Sequence, residues 1–328
     1  MRDPTFPTRR DFLAMAAGAF VVAAVPLARR GRLLAARRAV PAMGTTAEMV
    51  ALHPDAAYAQ RALDAAAREL LRIEGLMTRF RADSDVGRAN RFARREAVPV
   101  SAETAHVLRE ALRWADATDG GFDPCLARVT DLWDVKHRHA PPDAAPRRRL
   151  AGRRLYRALQ VGEADRGHFV RLGDADARLD LGGIAAGYGV DRAVETLRAW
   201  GIENGFVNVG GDIYALGVSE DGDPWEVGVR APGDDPHALA GTVRLSNQAI
   251  ATSGDYEQYF DHGGRRYHHI LDPHSAEPRR SRTHGITVMG PGCLAVDAAT
   301  TACFGMDAQA AARLLARMAP GAGVVHMG

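Results

Sequence analysis

Residues 205–289 crowd five strand-like runs into one stretch: GFVNV (205–209), IYALGV (213–218), WEVGVR (225–230), YHHIL (267–271) and GITVM (285–289). Each is rich in residues that suit a pleated surface, and each is bounded by glycine, proline or aspartate turns. Helical periods flank them. Residues 56–74 bring Leu63, Ala67, Leu70 and Leu71 to one face, and residues 102–117 do the same with Val107, Leu108, Ala111, Leu112 and Ala115, behind Ser101 as N-cap. A third helix carries Val190, Val194 and Leu197 and stops at Gly201. Two more run over 295–304 and 308–318, separated at Gly305, the second capped by Asp307. The prolines and charges of HRHAPPDAAPRRR (137–149) predict a loop. Strands and helices without strict alternation predict a mixed α/β (α+β) fold, organised as one domain over residues 39–328.

The first 38 residues read as targeting and linker rather than fold. Thr8-Arg9-Arg10-Asp11-Phe12-Leu13 resembles a twin-arginine export signal and leads into an apolar run, residues 13–28. That run is short for a membrane span, which needs about 20 apolar residues, and Pro26 interrupts it. Export to the periplasm or beyond is the expectation, with membrane association only through a retained signal. This segment carries a net charge of +6, so the formal +2 of the whole chain leaves the body at −4. A mildly acidic body with no basic run argues against nucleic acid as a partner. Cys125, Cys293 and Cys303 are widely spaced, which gives neither a disulfide framework nor a zinc pattern and predicts buried thiols.

Five stretches could carry chemistry. In CLAVDAATTACFG, Asp297, Thr300 and Thr301 share a helix face, so a carboxylate and hydroxyls present hard oxygens to one point, as Mg²⁺ requires. The same three residues also suit an ordinary helix start, with the threonines bonding back to the previous turn. In His268-His269, strand alternation sends the rings to opposite faces; a base and a structural histidine are both open readings. Thr252-Ser253-Gly254-Asp255-Tyr256 and Asn208-Val209-Gly210-Gly211-Asp212 are either ligand loops or plain turns. Lastly, DLGGIAAGYGVD (180–191) places paired glycines before a helix, where backbone can approach a phosphate or a metal. It lacks the Lys-Ser/Thr of a Walker loop and the spacing of a dinucleotide fingerprint.

The order of the blocks says more than any one of them. Met43-Gly44-Thr45, MTRFRADSDVGRAN (77–90), DGGFDPCLARVTDLWD (119–134), DLGGIAAGYGVD, VNVGGDIYALG (207–217), WEVGVRAP (225–232), AIATSGDYEQYF (249–260), YHHILDP (267–273) and ITVMGPGCLAVDAATTACFGM (286–306) follow one another along the chain. Together they resemble the ApbE family of FAD:protein FMN transferases. The resemblance implies an ApbE-type, T-fold-related catalytic domain that binds FAD and Mg²⁺, transfers FMN to a threonine hydroxyl of an acceptor flavoprotein and releases AMP. It further implies a metal site on Gly183, Asp297, Thr301 and Thr300, and FAD contacts on Met43, Phe80, Gly121, Phe122, Asp123, Asp180 and Ile270. His269 matches the family histidine that assists deprotonation of the acceptor, with Asp255 and Asp272 as supporting carboxylates. Ala186, also on the FAD side, departs from the family: many relatives carry lysine there. Its methyl cannot contact a phosphate, which implies looser FAD binding or compensation by a nearby arginine. The alternatives are an FAD pyrophosphatase giving AMP and FMN, and a periplasmic FAD-binding protein without catalysis.

Overall fold

The computed structural model describes residues 33–165, 167–233, 235 and 237–328. Seven strands form the main sheet: β1 (Leu34–Ala42), β2 (Thr45–His53), β3 (Asn204–Val209), β4 (Asp212–Leu216), β5 (Gln248–Gly254), β6 (Gly285–Gly290) and β7 (Gly323–Met327). They lie side by side in that order, each antiparallel to the next. Every other described helix and strand is inserted between consecutive strands of this sheet.

Alternation along these strands divides their side chains between two cores, as period-two geometry requires. Ala47, Met49 and Ala51 of β2, Val207 and Val209 of β3 and Ala249 and Ala251 of β5 belong to the larger core. Their neighbours Val50, Leu52, Phe206 and Ile250 face the other way, against Trp225, Val227, Val229 and Leu245 of the hairpin Trp225–Arg230/Leu239–Leu245. A third cluster gathers Trp133, Phe260, Leu271 and Ala276.

Helices α1 (Ala56–Met77), α2 (Asp85–Phe92), α3 (Ala102–Ala117), α4 (Ala127–Trp133), α5 (Ala144–Leu150) and α6 (Ala185–Ala199) all fall between β2 and β3. Helices α7 (Cys293–Cys303) and α8 (Ala308–Met318) fall between β6 and β7. Asp55 caps α1 through Tyr58 N, Ser101 caps α3 through Thr104 N, and Asp307 caps α8 through Ala310 N. Helix α1 packs on β1 and α6, α6 on α7, and α7 on β5 and β6. All three cysteines are buried and free.

Three expectations are corrected. Residues 34–38, placed with the linker, belong to β1; Ala36 is buried in the larger core. The loop predicted over 137–149 contains most of α5, whose Pro146 sits in the first turn, where a missing amide hydrogen costs little. The run 267–271 is not one strand. Arg265–His268 pairs with Tyr259–His262, and Leu271–Asp272 pairs with Glu277–Pro278. Between them His269 N bonds Gln258 O and Ile270 N bonds the ring of His268, which takes both residues out of the ladder. The twin-arginine segment and the apolar run 13–28 lie outside the described residues; among those described, no helix is long and apolar enough to cross a membrane.

Candidate active site

Helices α6 and α7 run antiparallel in close contact, and three pairs record the register. A Cβ added at Gly183 would lie 2.9 Å from Thr301 Oγ1. One at Gly187 would lie 2.7 Å from Asp297 Cβ and 2.4 Å from Cys293 O. Asp191 accepts from Cys293 N at 2.7 Å and from Leu294 N at 2.9 Å, and Asp297 accepts from Gly187 N at 2.9 Å. Neither helix has a side-chain cap of its own, so the partner helix supplies it. Gly182 and Gly183 do not have positive φ; Gly183 is small because the helix carrying Thr301 comes so close.

This contact concentrates negative charge. Asp297 is 6% exposed, and burial pushes its pKa up to about 7. Asp212, at the start of β4, is driven well above the carboxylate range by burial, with Asp297 and Asp191 adding repulsion. Asp191 is also raised by burial, against the pull of the two amides it caps. Among the described residues none of the three forms an ion pair, and no group of three His, Cys, Asp or Glu converges as a metal cage. A cation here would therefore rest on Asp297 with neutral oxygens. Thr301, half-buried one turn after Asp297 and facing Gly183, supplies a hydroxyl, and the Gly183 backbone is bare enough to supply a carbonyl. The residues present fit Mg²⁺.

Thr300 does not fit that role. Its hydroxyl donates to Asp297 O at 2.9 Å and accepts from Ser253 Oγ at 3.0 Å, and the residue is buried. It follows the back-bonding alternative: a helix threonine closed on its own turn.

The two histidines separate, one buried and one exposed, although His269 lies just past the end of the strand and alternation is not the cause. His268 is buried, its Nε2 donating to Arg279 O at 2.9 Å and its Nδ1 accepting from Ile270 N. His269 is exposed on one side but otherwise ringed by protein, and this desolvation lowers its pKa to about 4. The acceptor Gln258 O, 3.3 Å from Nδ1, requires the proton on that nitrogen. The neutral ring then carries its lone pair on Nε2.

The comparisons with known proteins agree on one family. The ApbE family model matches residues 43–325. The chain belongs to the ApbE family. It is 32% identical to an FAD:protein FMN transferase of Vibrio cholerae over 80% of this chain and 78% of the relative. It is 35% identical to one of Klebsiella pneumoniae over 73% of both chains. Among solved structures, the ApbE protein of Thermotoga maritima superposes with a TM-score of 0.77 at 30% identity, covering 89% of this chain and 93% of that one. The flavin transferase ApbE of Vibrio cholerae gives 0.75 at 26% identity, covering 90% and 97%. The mixed α/β fold is therefore of the ApbE type.

The remaining positions expected on the ApbE template fall into two groups. Phe80 is 83% exposed, its ring free on one face and covered on the other by the Arg79 guanidinium at 4.5 Å. Arg79 also pairs with Asp131 and, at 3.4 Å, with Asp180, whose other oxygen accepts from Gly182 N. Phe80 and Gly182 are exposed, while the side chains of Arg79 and Asp180 are largely covered. Met43 has φ +53, its amide held by Glu74, and its methyl reaches Gly189. Phe122 and Ile270 are buried, and the Gly121 carbonyl faces inward to Arg279. Ala186 is half-buried against the larger core.

Three expected carboxylates are occupied by structural bonds. Asp123 accepts from Cys125 N and Tyr156 N, and burial raises its pKa to about 6. Asp272 accepts from His274 N and Ser275 Oγ, closing its own turn. Asp255 pairs with His284 Nδ1 at 2.7 Å, leaving Oδ1 buried without a partner. Neither Asp255 nor Asp272 touches the ring of His269 by a hydrogen bond. Conversely, Asp191 and Asp212 were not assigned roles from sequence. The signal was present, since Asp191 ends the glycine-rich stretch one helical turn after Gly187, the glycine that meets α7.

Proposed function

We propose that this chain, an FAD:protein FMN transferase by family, moves FMN from FAD to a threonine hydroxyl of an acceptor flavoprotein, uses Mg²⁺ and releases AMP. What carries the reading is the buried Asp297 carboxylate, paired with no cation among the described residues and set on the same face as Thr301, opposite the bare backbone of Gly183. Asp297, Thr301 and the Gly183 carbonyl would hold Mg²⁺, which when bound supplies positive charge to pyrophosphate oxygens.

The chemistry is one P–O bond formed and one broken. The acceptor Oγ attacks the phosphorus on the FMN side of the pyrophosphate, and its proton passes to His269 Nε2. The bond to the AMP-side bridging oxygen breaks, and AMP leaves with the electron pair. Orientation and charge neutralisation do most of the work in such transfers. The exposed Phe80 ring offers a stacking face for the flavin. Asp180 lies beside it through Arg79.

A second reading keeps the site and changes the acceptor. The His269 ring meets solvent, so water could take the place of threonine and give AMP and FMN. The twin-arginine-like segment supports a periplasmic or other extracytoplasmic site of action, with membrane attachment only if that segment is retained.

Incubation of the mature protein with FAD, Mg²⁺ and a flavin-acceptor domain separates the readings. An FMN-sized mass gain on the acceptor supports transfer. AMP with free FMN supports hydrolysis, and intact bound FAD supports a carrier.

A further inference from the structure

Helix α7 ends with carbonyls that its own turns cannot satisfy. Thr300 O accepts from Phe304 N at 3.0 Å and Cys303 O from Met306 N at 2.9 Å. The two between them, Thr301 O and Ala302 O, take Nη1 of Arg279 at 3.2 and 3.3 Å, and the same nitrogen reaches Phe304 O at 2.8 Å. Nη2 of Arg279 donates to Gly121 O, 158 positions away in the chain. The backbone of Arg279 is engaged as well: its N donates to Ile270 O at 2.9 Å, and its O accepts from His268 Nε2. Residues 268 and 270 are the two neighbours of His269.

One residue thus touches three parts of the site. Its side chain bridges the end of the helix bearing Asp297 and Thr301 to the loop of Gly121 and Phe122. Its backbone holds both flanks of His269. Among the described residues no carboxylate lies within 4 Å of the guanidinium; carbonyls and the negative end of the α7 dipole meet its charge at contact distance, and Asp272 acts on it from further off. The planar fork, with donors on two nitrogens, is what allows contact with both sides at once; an ammonium is a single point.

We propose that Arg279 is a positioning residue for flavin transfer, holding the α7 end and the Gly121 loop at the separation that FAD requires. This rests on the transfer reading above. A simple helix cap would need only a positive charge at the end of α7, which lysine supplies. The bridge to Gly121 needs the fork.

The test compares wild type, Arg279→Lys and Arg279→Met in three measurements: thermal midpoint, amide exchange over residues 118–123 without ligand, and the FAD dissociation constant from flavin fluorescence. Arg279→Lys is expected to keep the midpoint close to wild type, to speed exchange in the loop, and to raise the FAD dissociation constant on the order of tenfold. Arg279→Met is expected to change all three. If Arg279→Lys restores loop exchange and FAD affinity along with the midpoint, Arg279 is a cap and the proposal fails. The same holds if FAD affinity falls only as far as the folded fraction falls. A wild type that binds no FAD would sink the transfer reading and this role with it, whereas normal wild-type binding with unchanged variants sinks only the role of Arg279.

Discussion

The carboxylate of Asp191, in α6, closes the start of α7, and the carboxylate of Asp297, in α7, closes the first turn of α6, through bonds spanning 102 and 110 positions of chain. One of these carboxylates is also the anion proposed to hold the metal. Stability and chemistry therefore compete at Asp297, and the competition can be measured.

Asp297→Asn should abolish Mg²⁺-dependent turnover while stabilising the metal-free protein at pH 8. An amide still accepts from Gly187 N but escapes the penalty of a buried charge beside Asp212 and Asp191. The folded pKa of Asp297 is raised, so the folded state holds its proton more tightly than the unfolded chain. Its contribution to stability is then fully favourable below the unfolded value near 4 and is lost as pH rises to about 7. The gain from the amide should be small at pH 4 and reach about 4 kcal/mol at pH 8, read as a difference in melting between variant and wild type.

Gly183→Ala and Gly187→Ala should behave differently, although both glycines face α7. At Gly187 the new methyl meets backbone, Cys293 O, at 2.4 Å, and the helices must separate. A loss of about 1–3 kcal/mol in denaturant unfolding is expected. At Gly183 it meets both branches of the Thr301 side chain, Oγ1 at 2.9 Å and Cγ2 at 3.0 Å, so a side chain rather than backbone has to shift. Stability should hold within about 1 kcal/mol while the Mg²⁺ concentration for half-maximal activity rises at least severalfold.

His269→Ala should lower FMN transfer by about 10²- to 10⁴-fold with FAD affinity unchanged, as expected for loss of a general base. Because desolvation lowers the ring's pKa to about 4, the base form is already complete at pH 6 and is lost only as pH falls through about 4. The transfer rate per bound FAD should therefore show no step near 6.5 that depends on His269. A titration near 6.5 that disappears in the variant would show that the surrounding protein does not desolvate the ring.

Ala186→Lys should tighten FAD binding severalfold in a fluorescence titration, if the missing phosphate contact is what the methyl costs. An unchanged or weaker affinity would show that the chain meets the phosphates by other means.

The fold was legible where the physics is local. Period-3.6 patterns with Ser101 and Asp307 caps placed α3 and α8, and glycine-bounded β-branched runs placed β3, β4 and β6. It was not legible at YHHIL, where the ladder breaks because side-chain and loop acceptors take the backbone amides of His269 and Ile270. The site divides in the same way. Helical spacing suggested Asp297 and Thr301, but spacing alone could not separate Thr301 from Thr300. The difference is Ser253, on a distant strand, which donates to the Thr300 hydroxyl. Arg279 had no local pattern at all, and Asp212 showed only as the end of a glycine turn: each acquires its neighbours only when segments far apart in the chain meet.

The exchange of caps between α6 and α7 has a consequence for a chain still being made. Synthesis delivers α6 well before α7, and until α7 arrives the first turn of α6 lacks the carboxylate that closes it. A contact across such a span forms late, after the loops between have been closed. A nascent or truncated chain ending before residue 297 can therefore hold most of its sheet and still have no assembled site. Its FAD turnover should be nil, so the geometry that builds the site also keeps an unfinished enzyme inert.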